Sequence, residues 1–264
     1  MEIGINVGGF NADTERPDNV ARKIEDAGFD ALVLGEHIHS VGNLEQHPPS
    51  SFELFTVFAL AANATERLRV GSGIMQLGMR DPILTAKQAA TIAALSGNRI
   101  DLIVATGSVS EEMRNHGTNP EQVRDVLRER MLAMREIFNN ETSSFNGEFV
   151  KFDEASVGPR DTDGRIHVPV LLGAGFDGIG ERVAEAADGW AMWPWDESGV
   201  AQAKEFKAAH PDKLLHVYGV ESADDLAAYR EAGADRVNLG LWDLTPGAVD
   251  AQLADLRTLV DSAS

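Results

Sequence analysis

The side chains in this chain that could do chemistry gather in a few short stretches. One is Glu36-His37-Ile38-His39, where a histidine stands beside a carboxylate at the end of an apolar run. An imidazole titrates near neutrality, so His37 can act as a general acid or base. A strand continuing through it would turn Glu36 to the opposite side. The plain alternative is a polar strand-end residue satisfied by backbone. His39 and His47 lie close in sequence to His37, and three histidines can hold zinc. His116, His167, His210 and His216 fall in loops, at helix ends or inside a strand. None is expected to join the pair, and no metal site is expected.

A second stretch, LRVGSGIMQLGMRDP from Leu68 to Pro82, opens as a buried strand and is interrupted by Gly71 and Gly73. Glycine there weakens pairing while admitting backbone shapes and close approaches that other residues forbid. Such a strand end is a seat for a flat ligand, or an ordinary strand-to-helix turn. A third stretch is Gly173-Ala174-Gly175-Phe176, ahead of a helix. Its free N–H groups and the helix N-terminus favour an anion such as phosphate, and Arg182 lies about one turn in. A tight turn needs the same glycines, and an exposed arginine is equally ordinary.

Periodicity shows what must position these stretches. Apolar runs at 2–7, 31–37, 68–74, 99–106, 168–172, 189–193, 214–219 and 235–240 read as strands. Helical spacing separates them. It begins at Pro17 and ends at Gly28, then recurs at 52–64, 82–95, 123–138, 178–187, 197–209, 222–231 and 247–261. In SFNGEFVKF, Asn146-Gly147 between alternating apolar residues signals a hairpin, placed at 145–152. Residues 153–167 read as a surface loop. Three helix-to-strand junctions repeat: EDAGFDALVL at 25–34, EAADGWAM at 185–192 and EAGADRVNL at 231–239. Each places a glycine for a left-handed cap, an acidic residue, then a buried strand. Eightfold alternation predicts one α/β domain over 1–264, a (β/α)₈ TIM barrel with a β-hairpin inserted after its fourth helix. A doubly wound open sheet is the alternative.

In such a barrel the chemistry sits at the C-terminal strand ends. These read Asn6 with Gly8-Gly9, His37, Gly73-Ile74, Thr106-Gly107-Ser108, Gly173 to Phe176, Trp193-Pro194-Trp195 and Trp242-Asp243. Most are small or apolar, unlike the carboxylates, lysines and histidines of hydrolytic barrels.

Composition narrows the partners. With 42 acidic and 23 basic residues the formal charge is −19, which disfavours nucleic acid and anionic membrane surfaces. A solvating acidic coat suits a halophilic, haloarchaeal source. No cysteine is present, excluding disulfides, thiolate nucleophiles and Cys-based metal sites. The N-terminus does not read as a signal peptide and no apolar run approaches membrane-spanning length, so a cytoplasmic protein is expected.

The run FELFTVFALAANATERLRVGSGIMQLGMRDPILTAKQAATIAALSGNRIDLIVATG at 52–107 resembles the luciferase-like superfamily, barrel oxidoreductases that use FMN or the deazaflavin coenzyme F420. EDAGFDALVLGEHIH, the hairpin and PVLLGAGFDGIGERVAEAADGW carry the resemblance across roughly residues 1–195. It implies a cofactor ring across the strand ends, supported by a non-prolyl cis peptide that matches Gly73–Ile74. It also implies that Asn6 and Trp193 border the cofactor, Thr106 and Gly107 contact the ring, and Gly173, Ala174, Gly175 and Phe176 approach its phosphate-bearing tail. His37 matches the histidine that F420-using members set beside the hydride-transfer carbon, which makes it the catalytic candidate. Relatives that oxidise sugar phosphates carry a glutamate after the Thr-Gly and a tryptophan past the histidine. Ser108 and Val41 stand there, which disfavours that substrate. The expectation is an F420-dependent oxidoreductase acting on a small organic molecule. An FMN-dependent monooxygenase is the first alternative and a non-catalytic flavin-binding barrel the second. Family members pair through their second and third helices, so a homodimer is expected.

Overall fold

The computed structural model describes residues 1–41, 51–194 and 196–263. Eight parallel strands close into a barrel. Its order is β1 (Glu2–Val7), β10 (Arg236–Leu241), β9 (Leu214–Tyr218), β8 (Gly189–Met192), β7 (Val170–Gly173), β4 (Ile100–Val104), β3 (Arg69–Ser72) and β2 (Ala31–Leu34), which pairs with β1. Helices α1 (Pro17–Asp26), α2 (Leu54–Ala64), α3 (Pro82–Ser96), α5 (Val123–Asn139), α6 (Ile179–Ala186), α7 (Gly199–Ala209), α8 (Ala223–Glu231) and α9 (Val249–Ser262) alternate with them. The (β/α)₈ expectation holds. No described helix is long and apolar enough to cross a membrane.

Alternation along each strand sorts side chains between two interiors. Ile3, Ile5 and Val7 of β1, with Val237, Leu239 and Leu241 of β10, face the helices in the main core. Their neighbours turn into the barrel, where Ala31, Val33, Ile103, Leu171, Ala191 and Tyr218 form a second, smaller cluster.

The repeated junctions have a common physical basis. Asp30, Asp188 and Asp235 each precede a strand, and each carboxylate accepts a backbone N–H from the neighbouring strand: Ile3 at 2.7 Å, Val170 at 2.8 Å and Leu215 at 2.8 Å. Three carboxylates thus tie adjacent strands at the N-terminal face of the barrel. Gly28 and Gly233 take the expected left-handed conformation, as does Gly97 at the end of α3. Gly189 does not. It opens β8, and a side chain there would run into Leu214, so close strand packing explains that glycine.

Two further expectations need correction. Helix α4 (Ser110–Asn115) is additional, so the hairpin β5 (Ser143–Asn146) and β6 (Lys151–Ala155) follows the fifth helix. The hairpin turn is also longer than Asn146-Gly147 suggests. Asn146 pairs with Lys151, and Glu129 of α5 accepts the N–H groups of Glu148, Phe149 and Val150 at 2.7–2.9 Å. A carboxylate from outside the hairpin therefore satisfies the loop donors.

The lower barrel interior is polar. Arg236 donates to Asp101 at 2.6 Å and to Glu2 at 2.7 Å, joining β10 to β4 and β1. Burial pushes the Asp101 carboxyl up, but Arg236 together with neighbouring basic groups outweighs it and holds the group below the usual range. His216 is buried beside this pair. Burial, reinforced by Arg236, lowers its pKa to about 3. His216 therefore stays neutral in the native state, while the unfolded chain takes up its proton below about pH 6.5. Stability should be present above that pH and drain away as pH falls toward 3, by up to ~1.4 kcal/mol per pH unit. Urea unfolding across this range should show a shallower acid-side slope for His216→Asn than for the parent. Equal slopes would remove His216 as the cause.

Candidate functional site

The C-terminal strand ends depart from the ladder where the sequence places its glycines. β3 stops at Ser72, the Gly73–Ile74 peptide is cis, and the chain touches β4 again where Met75 bridges to Val104. Neither Gly71 nor Gly73 has a positive φ. Their bareness makes room for neighbours instead. A side chain on Gly71 would strike the Asp101 carboxylate. One on Gly73 would strike Val33 and lie 3.0 Å from the Tyr218 ring. Ile74 in turn fills the space beside Gly173, whose Cβ would sit 2.9 Å from the Ile74 side chain. Gly73, Ile74 and Gly173 form a shelf at the barrel mouth. Trp193 stacks on Tyr218 beside it, with ring centroids 5.0 Å apart and planes at 17°.

Next to the shelf lies a polar cluster around His37. Glu36 does turn away from it: its carboxylate pairs with Arg80 and accepts the Gln76 N–H at 3.0 Å. Burial works against the Arg80 charge, but Glu36 and Glu53 more than compensate and raise its pKa. On the other side is Glu112 of α4, with its side chain 1% exposed. Its Oε1 accepts the Ile38 N–H at 3.0 Å, and its Oε2 lies 3.5 Å from His37 Nδ1. Gln76 Nε2 is also 3.5 Å from that nitrogen, but its two hydrogens have better acceptors in the Glu36 carbonyl at 2.8 Å and Glu112 at 3.4 Å. A carboxylate only accepts, so a hydrogen bond between these two groups requires the His37 proton on Nδ1.

Gln76 connects the cluster to the next strand end. Gly107 has φ +93°, and a side chain there would collide with the Gln76 amide. Thr106 donates its hydroxyl to the Gly107 carbonyl at 3.0 Å and lines a groove of 760 Å³ between α5 and α6. Gly173 to Phe176 form the groove's other wall, anchored by the Trp190 indole N–H donating to the Ala174 carbonyl at 2.8 Å. Gly178 precedes α6 with φ +64° and no side-chain cap; the Ile179 N–H donates to the Phe176 carbonyl at 3.0 Å, and the Gly180 and Glu181 N–H groups follow it without a side-chain cap. Arg124, Arg128 and Arg182 line the same groove, interleaved with Asp125, Asp177, Glu181 and Glu185. Arg128 pairs with Glu185. Arg182 reaches the Gly175 and Asp177 carbonyls at 3.2 and 3.1 Å. Desolvation, with the like charge of Arg124 second, lowers its pKa. Two guanidiniums beside an uncapped helix N-terminus suit a phosphate.

The structure thus brings His37, Gly73, Ile74, Thr106, Gly107 and residues 173–176 to one mouth, with Trp193 beside the shelf. Asn6 sits deeper, paired with Gly240 inside the barrel, and its Oδ1 has no partner. His116 departs from expectation by lying beside His39, with ring centroids 5.2 Å apart, yet the described residues hold no metal-binding group. His47 and Trp195 lie outside the described residues. Glu112, Gln76, Arg124 and Tyr218 were not foreseen. The strand alternation of His216 and Tyr218 could have indicated the last, whereas α4 has no apolar period to reveal Glu112.

The model of the luciferase-like monooxygenase family matches residues 2–210. An uncharacterized protein of Mycobacterium tuberculosis is 30% identical over 248 residues, covering 86% of this chain and 87% of its own. Among solved structures, a monooxygenase from Streptomyces bottropensis superposes with a TM-score of 0.80 at 16% identity, covering 98% of each chain. An F420-dependent secondary alcohol dehydrogenase in complex with an F420–acetone adduct gives 0.76 at 16% identity, covering 100% of this chain and 99% of that one. At such identity these two likenesses establish the fold.

The His37 cluster can be tested without any ligand. In Glu112→Gln the amide oxygen can keep the Ile38 N–H, turning an NH₂ donor toward His37. The imidazole should then move from the Nδ1–H to the Nε2–H tautomer, read from its ¹⁵N shifts. Unchanged shifts would show that Glu112 does not set the tautomer.

Proposed function

The chain belongs to the luciferase-like monooxygenase family, and on that footing we propose that it is an oxidoreductase using the deazaflavin coenzyme F420. The observation that carries the reading is the groove. Arg124 and Arg182 meet the uncapped N-terminus of α6, and the groove runs through Thr106 and Gly173 to the Gly73–Ile74 shelf. A long molecule with a flat ring at one end and phosphate at the other fits that course. When bound, F420 supplies a hydride-transferring ring, whereas reduced FMN also reacts with oxygen.

The chain's residues then have separate tasks. Arg124, Arg182 and the α6 N–H groups hold the anionic tail. Gly73, Ile74 and Gly173 support a ring face, backed by Tyr218 and Trp193. Glu112 faces His37 Nδ1 and holds the backbone next to it, which orients the imidazole for proton exchange with substrate. Reduction of a carbonyl needs one proton at oxygen as hydride reaches carbon, and an imidazolium at His37 can give it and recover it in the reverse direction. The contact between His37 and Glu112 is long at 3.5 Å, as catalytic hydrogen bonds often are before substrate arrives. An FMN-dependent monooxygenase is the second reading, favoured by the chemistry that names the family.

The proposal includes a homodimer through α2 and α3. Leu60, Leu84 and Leu95 are 40%, 57% and 79% exposed on that face, an apolar surface suited to a second copy. Light scattering should give twice the chain mass for the parent and the single mass for Leu84→Glu with Leu95→Glu. A monomeric parent would overturn the assembly.

Titration with F420 and with FMN in molar salt, followed by fluorescence quenching, tests the cofactor. Tight binding of F420 alone is expected. Binding of FMN alone would move the function to oxygen chemistry, and binding of neither would remove the cofactor reading.

A further inference from the structure

Across the mouth from the arginine groove stands a large aromatic surface with no assigned role. Trp242 follows β10 and is 62% exposed. Arg236, Asn238 and Gly240 share the inward face of β10, and two residues further that phase brings Trp242 over the barrel opening. The indole lies down on backbone. Its atoms are 2.5 Å from where a Gly240 Cβ would be and 4.0 Å from where a Gly8 Cβ would be. Only glycine at 240 permits that posture. One indole face is seated on β10 and β1, leaving the ring exposed at the mouth.

A bare floor leads from this indole to the shelf. The Gly8 carbonyl is 3.4 Å from the position a Gly35 side chain would take, and the Gly73 carbonyl is 3.6 Å from it. Glycines at the ends of β1, β2 and β3 therefore pave the space between Trp242 and Gly73–Ile74. Arg124, Arg128 and Arg182 line the groove by β7 and α6, and β7 stands four strands from β1 around the barrel. Against the Trp242 ring the structure places Gly8 and Gly240, with Asp243 next in the chain. The molecule carries a formal charge of −19.

We propose that Trp242 is the stacking wall of the substrate half of the site, and that it receives a neutral, planar ring carbonyl compound of the quinone or cyclic enone class. This rests on the oxidoreductase reading above. A flat ring buries the exposed indole face and, lying on the glycine floor, keeps its carbonyl-bearing edge near the shelf. An anionic substrate would meet the repulsion of the acidic coat.

The test uses protein loaded with whichever oxidised cofactor binds, and calorimetric titration with naphthoquinone and with its sulfonate, which keeps the ring and adds an anion. The parent should bind the neutral quinone at least about tenfold more tightly than the sulfonate. Trp242→Ala should weaken the quinone about tenfold while cofactor affinity stays within about twofold, and Trp242→Phe should restore most of the loss. Unchanged quinone affinity in Trp242→Ala would overturn the proposal, as would a sulfonate that binds equally well or an alanine variant that loses cofactor instead. A parent that takes up neither cofactor fails at the loading step, and that failure belongs to the oxidoreductase reading beneath this one.

Discussion

A guanidinium enclosed by a barrel must be paired, and much of this architecture follows from how Arg236 is paired. It reaches Glu2 on the first strand and Asp101 on the fourth while itself belonging to the last. Removing one partner from such a group leaves a buried uncompensated charge, an outcome worth roughly 3–5 kcal/mol in other proteins. The pair therefore discourages any other stagger of β1, β4 and β10. Room for it comes from absent side chains. A Cβ at Gly4 would lie 3.2 Å from the Arg236 side chain, and one at Gly71 would strike Asp101. Glycines that read as ligand-seating features in the sequence also serve this buried pair.

With the lower barrel fixed, the upper rim is free to break regularity. Backbone groups leaving the ladder are captured elsewhere: the Gly73 N–H by Leu34 at 2.8 Å, and the Ala105 N–H by Met75 at 3.0 Å. Glu36, Gln76 and Arg80 then brace the segment after the shelf, while Glu112 holds the backbone that carries His37. The site is a rigid rim made of irregular pieces, each satisfied by a neighbour from another strand end.

This division explains what the sequence disclosed. Barrel strands and helices announce themselves by period, because burial on one face repeats along each element. Strand-end positions such as His37, Gly73 and Thr106 follow once the barrel is recognised. Glu112 escaped because its relevance comes from contact with a backbone 74 positions away, made by a six-residue helix without an apolar face. Arg124 escaped for the opposite reason. It sits on the polar side of an amphipathic helix, where a groove-lining arginine and a solvated one look alike. Gly189 misled because a glycine demanded by strand packing occupies the same place in the junction pattern as a capping glycine.

The arginine groove has a kinetic meaning beyond its geometry. A phosphate-bearing molecule approaching this surface first meets an acidic coat, and that repulsion acts over a distance set by the ionic strength. Arg182, partly desolvated and beside Arg124, acts only near contact. Salt therefore screens the far barrier more than the near attraction. Were an anionic partner to bind here, its capture would quicken as the surrounding salt rises, the reverse of the usual rule for charged encounters.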